Sequence, residues 1–126
     1  MKILHGLLMA LTLATTLVAC SKDDSPPPFT IEGKWEGKIG SGSVPPSGQY
    51  ALQIKAGGTI ERIGSNGSVS ASGTWALNGN NFVATYFYSN GTEVHVEGTI
   101  DKEKYKLTAN WENNGGDEGT LYANKK

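Results

Sequence analysis

Three Asn-Gly pairs at intervals of twelve residues constrain the fold of this chain more than any other feature. They are Asn66-Gly67, Asn78-Gly79 and Asn90-Gly91. Both residue types tolerate the positive φ of tight type I′ turns, so each pair predicts a hairpin connection. One strand plus one turn takes up about twelve residues in an antiparallel meander. Because residues 29–126 show no apolar repeat at the helical period, we expect an all-β domain.

Short runs of alternating apolar and polar residues fill the intervals between the turn signals. In the sixth run, for example, Val94 and Val96 alternate with Glu93, His95 and Glu97. Such alternation indicates strands with one face in a core. The eight predicted strands are 33–39, 49–56, 59–64, 68–77, 81–88, 92–100, 104–112 and 118–124. In the third of them, Ile60 and Ile63 are out of phase, which predicts a bulge or a loose strand.

The common apolar face of these strands has no helix to cover it. The sheet can close on itself or fold into two packed layers, and closure also removes the exposed edges. We predict an eight-stranded up-and-down antiparallel β-barrel, whose interior can just be filled or can hold one small ligand. Glycines within the predicted strands, such as Gly73 and Gly98, indicate sharp coiling or close backbone approach.

Aromatic side chains dominate the predicted inner face. They are candidates for lining a small apolar ligand pocket. The alternative is that they simply fill a barrel of limited height. The candidate ligand-lining residues are Trp35, Tyr50, Trp75, Phe82, Tyr86, Tyr105 and Trp111.

Composition excludes several function classes. The formal net charge of −1 argues against a nucleic-acid binder, and the single cysteine excludes a disulfide framework. His95, the one histidine after the N-terminal segment, lies on the predicted outer face between Glu93 and Glu97. An exposed residue among acids is the favoured interpretation. We therefore predict no catalytic set, no metal ligands and no cofactor, and we do not expect an enzyme.

The N-terminus has the pattern of a secretory signal. Met1-Lys2 precedes an apolar run over residues 3–18, which ends in Ala19-Cys20. A basic start, an apolar stretch and a small residue at the cleavage point define such signals. The competing interpretation, a membrane-spanning helix, needs about 20 apolar residues, and this run is interrupted by His5, Gly6 and threonines.

The sequence Leu17-Val18-Ala19-Cys20 resembles the lipobox of bacterial lipoproteins. The resemblance implies a signal peptide over 1–19, a diacylglycerol on the Cys20 thiol and an acyl chain such as palmitate on its new amine. The alternative is an ordinary secreted protein with a free thiol. Residues 20–28 are then the lipidated cysteine and a Pro-rich tether, and the partner is a membrane. Two or more acyl chains anchor a protein stably without spanning the bilayer.

In bacterial lipoproteins, an aspartate directly after the lipidated cysteine is the usual signal for retention in the inner membrane. No aspartate follows Cys20 directly, so the resemblance implies the bacterial outer membrane as the location. Lys22-Asp23-Asp24 resembles the surface-export signal of some Gram-negative lipoproteins, and the alternative is a solvated linker. Whether the protein faces the periplasm or the cell surface stays open.

The segment Gly33-Lys34-Trp35-Glu36-Gly37 resembles the Gly-x-Trp signature of lipocalins. The resemblance implies that Trp35 packs across the closed end of a barrel over 29–126. The chain departs from that family in being shorter and in lacking its C-terminal helix and disulfide. The expected function is binding of a small hydrophobic or amphiphilic ligand. The alternative is a filled barrel that acts as an interaction, inhibitor or accessory module through the 40–48 loop or Phe87.

Overall fold

The computed structural model describes residues 28–126 as one closed antiparallel barrel of eight strands. Each strand pairs with its neighbour in sequence, and the last pairs with the first. This confirms the predicted fold class, and every strand boundary lies within two residues of its predicted position. The predicted signal peptide and the tether up to residue 27 lie outside the described residues. The strands are β1 (Gly33–Ser41), β2 (Gly48–Lys55), β3 (Thr59–Ile63), β4 (Val69–Asn78), β5 (Asn81–Tyr88), β6 (Glu93–Asp101), β7 (Lys106–Asn113) and β8 (Glu118–Lys125).

The barrel has two ends of different construction. At the end that we call the base, residues 28–32 enter β1, and the turns 56–58, 79–80 and 102–105 connect the strands. At the other end, the top, lie the longer connection 42–47 and the turns 64–68, 89–92 and 114–117. No helix in residues 28–126 is long and apolar enough to cross a bilayer.

All three Asn-Gly pairs lie in hairpin turns, but not in the predicted type I′ conformation. Gly67, Gly79 and Gly91 have positive φ, whereas no asparagine does. In the turn at 64–68, the Gly64 amide donates to the Ser68 carbonyl oxygen, and the Gly67 amide donates to the Gly64 carbonyl oxygen. The turn at 88–92 has the same two hydrogen bonds at the corresponding positions. A type I turn followed by a left-handed glycine has this pattern, and it also twists correctly for a hairpin. Asn66 and Asn90 therefore keep a negative φ, and the side-chain oxygen of each accepts the amide two residues on. Asn78 instead ends β4, where it pairs with Asn81.

The inner faces of the strands form one hydrophobic core along the barrel axis. Burial alternates along most strands as the sequence predicts, although β2 buries the three consecutive residues 50–52. Within residues 28–126, no polar or charged residue is buried. The register of β3 against β4 shifts between Arg62 and Ile63, which confirms the predicted irregularity there. The largest fully buried side chains are Trp35, Tyr50, Tyr86, Phe82, Leu52, Ile54, Ile60, Leu107, Leu121 and Val96.

Glycines at inward positions allow adjacent strands to approach more closely than any side chain would. A Cβ at Gly73 would lie 1.8 Å from the Thr85 carbonyl oxygen and 2.6 Å from the Tyr86 Cα. A Cβ at Gly119 would lie 2.0 Å from the Gly40 oxygen. Gly37 and Gly98 stand in similar contacts. The predicted close backbone approach at the strand glycines is confirmed at these positions, and it is what lets so small a sheet curl into a cylinder.

Residues 28–32 close the base over Trp35. The Trp35 side chain is fully buried, and its Nε1 donates a 2.8 Å hydrogen bond to the Ile31 carbonyl oxygen. The Lys125 ammonium donates to the Thr30 carbonyl oxygen at 2.7 Å, so the end of β8 holds the same segment. The N-terminal segment is therefore part of the folded barrel. The Trp35 side chain lies at the base of the barrel, beneath residues 28–32.

Candidate functional site

Four of the seven candidate ligand-lining aromatics lie fully inside the barrel. Trp35, Tyr50, Phe82 and Tyr86 are exposed by at most 1%. They pack against the aliphatic core, with Trp35 towards the base and the two tyrosines towards the top. These rings occupy the axis of the barrel.

The other three candidates lie near the ends and are only partly buried. Trp75 Nε1 donates to the Lys55 carbonyl oxygen at the base, and Trp111 Nε1 donates to the Gly40 oxygen at the top. Tyr105 precedes β7, which begins at Lys106 instead of the predicted residue 104. It has a φ of 51°, and its ring lies 5.0 Å from that of Phe29. The seven aromatics are therefore spread over both ends and do not surround one common space.

A buried tyrosine pair forms the polar part of the interior. The hydroxyls of Tyr50 and Tyr86 are 3.1 Å apart. Arg62 lies over the Tyr50 ring with its guanidinium carbon 4.4 Å from the ring centre. The guanidinium donates to the Ile63 oxygen at 2.7 Å and to the Gln49 oxygen at 3.1 Å. Arg62 thus closes the top of the barrel with an ordered, hydrogen-bonded cation.

Burial makes the ionised forms of both phenols unfavourable. Loss of solvation raises the pKa of Tyr50 well above its ordinary value, and it raises the pKa of Tyr86 to about 12. Both phenols are therefore neutral in the folded protein at physiological pH. They act as packing and hydrogen-bonding groups, not as acid–base groups.

Stability is expected to fall in alkali because of this pair. Below pH 10 the tyrosine is neutral in both the folded and the unfolded chain, and the free energy of unfolding does not depend on pH. Above the unfolded pKa of about 10 only the unfolded chain ionises, so the free energy of unfolding falls until the pH reaches the folded pKa. For Tyr86 the loss approaches about 3 kcal/mol by pH 12, since one pKa unit corresponds to about 1.4 kcal/mol. Urea unfolding at pH 8, 10 and 11.5 measures it.

The double variant Tyr50→Phe/Tyr86→Phe separates this effect from general alkaline unfolding. We expect its urea midpoint to decline much less between pH 10 and 11.5 than that of the wild type. Tyr122→Phe, on the outer face of β8, serves as the matched control and should keep the wild-type slope. Equal declines in all three proteins would contradict the assignment.

A concavity lies outside the barrel, on the outer wall of β6, β7 and β8. It is a groove of about 460 Å³, which is within the size range of small-molecule sites. Two rows of outward side chains cross it: His95, Glu112 and Glu118 are direct neighbours across the strands, as are Glu97, Asn110 and Thr120. The groove is lined by Gly42, His95, Glu97, Asn110, Trp111, Glu112, Glu118, Gly119 and Thr120.

The groove has an acidic and hydrogen-bonding character. Glu112 and Glu118 face each other on paired strands, and like charges in such positions repel. His95 bonds through Nδ1 to the Thr85 hydroxyl at 3.1 Å, and its Nε2 is 3.9 Å from Glu97. No lysine or arginine lines the groove. Within residues 28–126, no three His, Cys, Asp or Glu side chains are arranged to hold a metal ion.

A second, shallower pocket of about 130 Å³ adjoins the groove. It lies on the outer wall of β4 and β5 and shares His95 with the groove. Val83 and Ala76 give it a more apolar lining. Both pockets thus open on the wall of the barrel, not into its interior.

Sequence reasoning did not identify the groove. Its residues look like the ordinary solvated face of three strands, and only the pairing register brings His95, Glu112 and Glu118 into one row. The available signal was the run of outward polar residues in β6 and β7. Hairpin pairing through the turn at 102–105 would have put some of them opposite one another.

Comparison with known proteins supports the fold alone. No protein-family description matches this sequence, and no curated protein matches it. The structure is similar to a redesigned β-barrel, b11L5F_LGL, with a TM-score of 0.57 and 17% identity over 76% of this chain and 91% of that one. It is also similar to the redesigned β-barrel mFAP1 bound to DFHBI, with a TM-score of 0.55 and 16% identity over 75% and 94% of the two chains.

Proposed function

We propose that this chain is a bacterial outer-membrane lipoprotein that carries a small lipocalin-like barrel as a non-catalytic binding module. The lipobox-like residues 17–20 support lipid attachment at Cys20. Packing of Trp35 across the base is what the Gly-x-Trp motif implies, and it supports the lipocalin-like assignment. In this proposal the lipid keeps the barrel at the membrane, and the barrel wall meets its ligand or partner.

The observation that carries the proposal is the contrast between a filled interior and a ligand-sized groove on the wall. Tyr50, Phe82 and Tyr86 occupy the barrel axis, whereas the groove between β6 and β8 is open to solvent. Opposed glutamates without a neighbouring cation would be relieved by a positively charged group. The groove therefore suits a ligand or protein side chain that carries a cation and hydrogen-bond donors.

Binding of a small apolar ligand inside the barrel is the second candidate. The barrel mFAP1, which resembles this chain in fold, is described as bound to the small molecule DFHBI. In this chain such a ligand would have to displace Tyr86 or Arg62 at the top, because both occupy the entrance to the axis. The exposed Val44 and Phe87, on the 42–47 connection and β5, offer a further contact surface for a protein partner.

Replacing Cys20 by serine should abolish membrane attachment. We expect the full-length wild type, made in a Gram-negative host, to incorporate labelled palmitate and to enter the detergent phase of Triton X-114. The variant should lose the label and remain in the aqueous phase, because each acyl methylene contributes about 0.8 kcal/mol to anchoring. Ser25→Ala, in the tether, is the control and should behave as wild type. A Cys20→Ser protein that keeps both label and detergent partitioning would refute the anchor.

The groove is tested with spermidine, a small polycation, by calorimetric titration. We expect Glu112→Gln/Glu118→Gln to bind it at least tenfold more weakly than wild type. Glu32→Gln/Glu103→Gln removes the same charge from exposed positions at the base and should bind as wild type. Equal weakening in both variants would show a diffuse charge effect and no site. Binding of an apolar dye that survives the groove substitutions but is lost in Tyr86→Trp would favour the interior instead.

A further inference from the structure

Cationic side chains are concentrated at the base of the barrel. Seven of the nine lysines and arginines in residues 28–126 lie on the turns or strand ends of the base half. Lys38, on the outer face of β1, and Arg62, which caps the top, are the two others. The seven are Lys34, Lys55, Lys102, Lys104, Lys106, Lys125 and Lys126.

Several of these lysines keep their charge unpaired within the described chain. Three are ion-paired, because Lys34 and Lys126 contact Glu36 and Lys55 contacts Glu61. Among residues 28–126, the remaining four form no ion pair. They are Lys102, Lys104, Lys106 and Lys125.

The top has the opposite charge. Glu93, Glu112, Asp117 and Glu118 lie on the strand ends and the turn there, while the only arginine of the described chain is folded over Tyr50. Five acidic residues also lie in the base half, so the formal charge of that half is +2; they are Glu32, Glu36, Glu61, Asp101 and Glu103. The four acids of the top and Arg62 sum to −3, so the barrel is polarised along its axis although its net charge is close to zero. A charged planar surface would orient such a molecule by its base.

Two of the lysines without an ion pair lie beside aromatic rings. Phe29 and Tyr105 form a half-buried pair at the base. The Lys102 ammonium lies 5.7 Å from the Phe29 ring centre, and that of Lys125 lies 5.6 Å from the Tyr105 ring centre. Amphipathic aromatic rings beside cations are the side chains that favour the headgroup region of a bilayer.

The chain enters the barrel at the same end. Residue 28 adjoins the base, and Cys20 lies eight residues before it. Eight residues span at most about 29 Å even when fully extended. A lipid on Cys20 therefore keeps the base within about 29 Å of the headgroups, where even weak attraction acts at a high effective concentration.

We infer that the base of the barrel is a docking surface for anionic lipid headgroups, contacted by Lys102, Lys104 and Lys106 with the Phe29–Tyr105 pair beside them. The inference rests on the proposed lipid anchor for its orientation. When the base docks, the top faces away from the membrane and the barrel axis is perpendicular to the membrane surface. The wall groove then stays accessible. Because charges are screened within about 10 Å at 0.1 M salt, the contact is direct and sensitive to salt.

The test uses the full lipidated chain in vesicles of phosphatidylcholine, with or without 30% phosphatidylglycerol. Lysines are acetylated for a short time, and the modified sites are quantified by mass spectrometry. We expect acetylation of Lys102, Lys104 and Lys106 to slow at least threefold in the anionic vesicles and to recover in 0.5 M NaCl. Lys38 is the internal reference and should react equally in both vesicles. Lys104→Glu should reduce the protection of the other base lysines, whereas the matched variant Lys38→Glu should not.

Anchoring and docking fail separately in this design. A chain that floats with vesicles but shows no lysine protection, or equal protection in neutral vesicles, overturns the docking surface and leaves the anchor intact. The Cys20→Ser chain tests docking without the anchor. It should sediment with pure phosphatidylglycerol vesicles in 20 mM salt and lose at least tenfold in affinity when Lys102, Lys104 and Lys106 are all glutamine. Failure to sediment, or binding that ignores those three substitutions, also overturns the inference.

Discussion

Replacing Trp35 by alanine is expected to lower the free energy of unfolding by about 4 kcal/mol, a large part of the 5–15 kcal/mol available to a small domain. The side chain is fully buried against the core at the base. Its loss leaves a cavity, and the Ile31 carbonyl oxygen loses its donor. Urea unfolding followed by far-ultraviolet circular dichroism measures the change.

Trp35→Phe is the matched control for this prediction. It keeps an aromatic ring in the core but removes the Nε1 donor, so we expect a smaller loss, on the order of 1–2 kcal/mol. A Trp35→Ala protein within 1 kcal/mol of the wild type would show that residues 28–32 do not close the base. The same result would remove the structural meaning of the Gly-x-Trp motif in this chain.

Alanine at Gly73 should destabilise the barrel by about 3 kcal/mol or more, although it adds one methyl group. That methyl group would collide with the backbone of β5, at 1.8 Å from the Thr85 oxygen. Backbone atoms of a paired strand cannot rotate away, so β4 and β5 must separate or change their coiling. For a domain of this size the melting temperature should fall on the order of 15 °C, as differential scanning calorimetry would record.

Gly115→Ala controls for the general effect of replacing a glycine. Gly115 has ordinary φ, and its new Cβ would meet only the Asn113 side-chain oxygen at 3.4 Å. We expect its melting temperature to stay within a few degrees of wild type. If Gly73→Ala and Gly115→Ala had equal melting temperatures, the barrel would not depend on the close approach of β4 and β5 at Gly73.

The strands could be predicted because each carries its own local signal. Alternation defines the inner face, and Gly67, Gly79 and Gly91 end the strands in turns that no other residue fills as easily. Closure followed from the lack of any helix to cover that face. The type of turn did not follow, because an asparagine before glycine can stay right-handed when the loop has three residues.

Details at the strand ends depend on the whole barrel and could not be predicted locally. The register shift at Arg62 and Ile63 leaves Val69 51% exposed, although it is in phase with the buried Ala71. Tyr105 leaves its predicted strand for a left-handed turn that brings its ring against Phe29. The first outcome depends on the irregular pairing within one hairpin, and the second on a contact between residues far apart in the sequence.

The wall groove illustrates the same point for function. Three glutamates and one histidine are scattered over 24 residues, and each alone is an ordinary surface residue. Only the pairing of β6 with β7 and of β7 with β8 aligns them. The interior aromatics were predicted to face inward, but their spread along the axis and the capping by Arg62 required the three-dimensional structure.

The seam between β1 and β8 pairs Trp35 with Lys125, residues that stand at opposite ends of the domain sequence. The cylinder therefore cannot be sealed until the last strand has been synthesised, and pairing over so long a separation is slow. A newly made chain therefore stays open along this seam while its other strands pair, and the free edge of β1 remains unpaired until β8 is available.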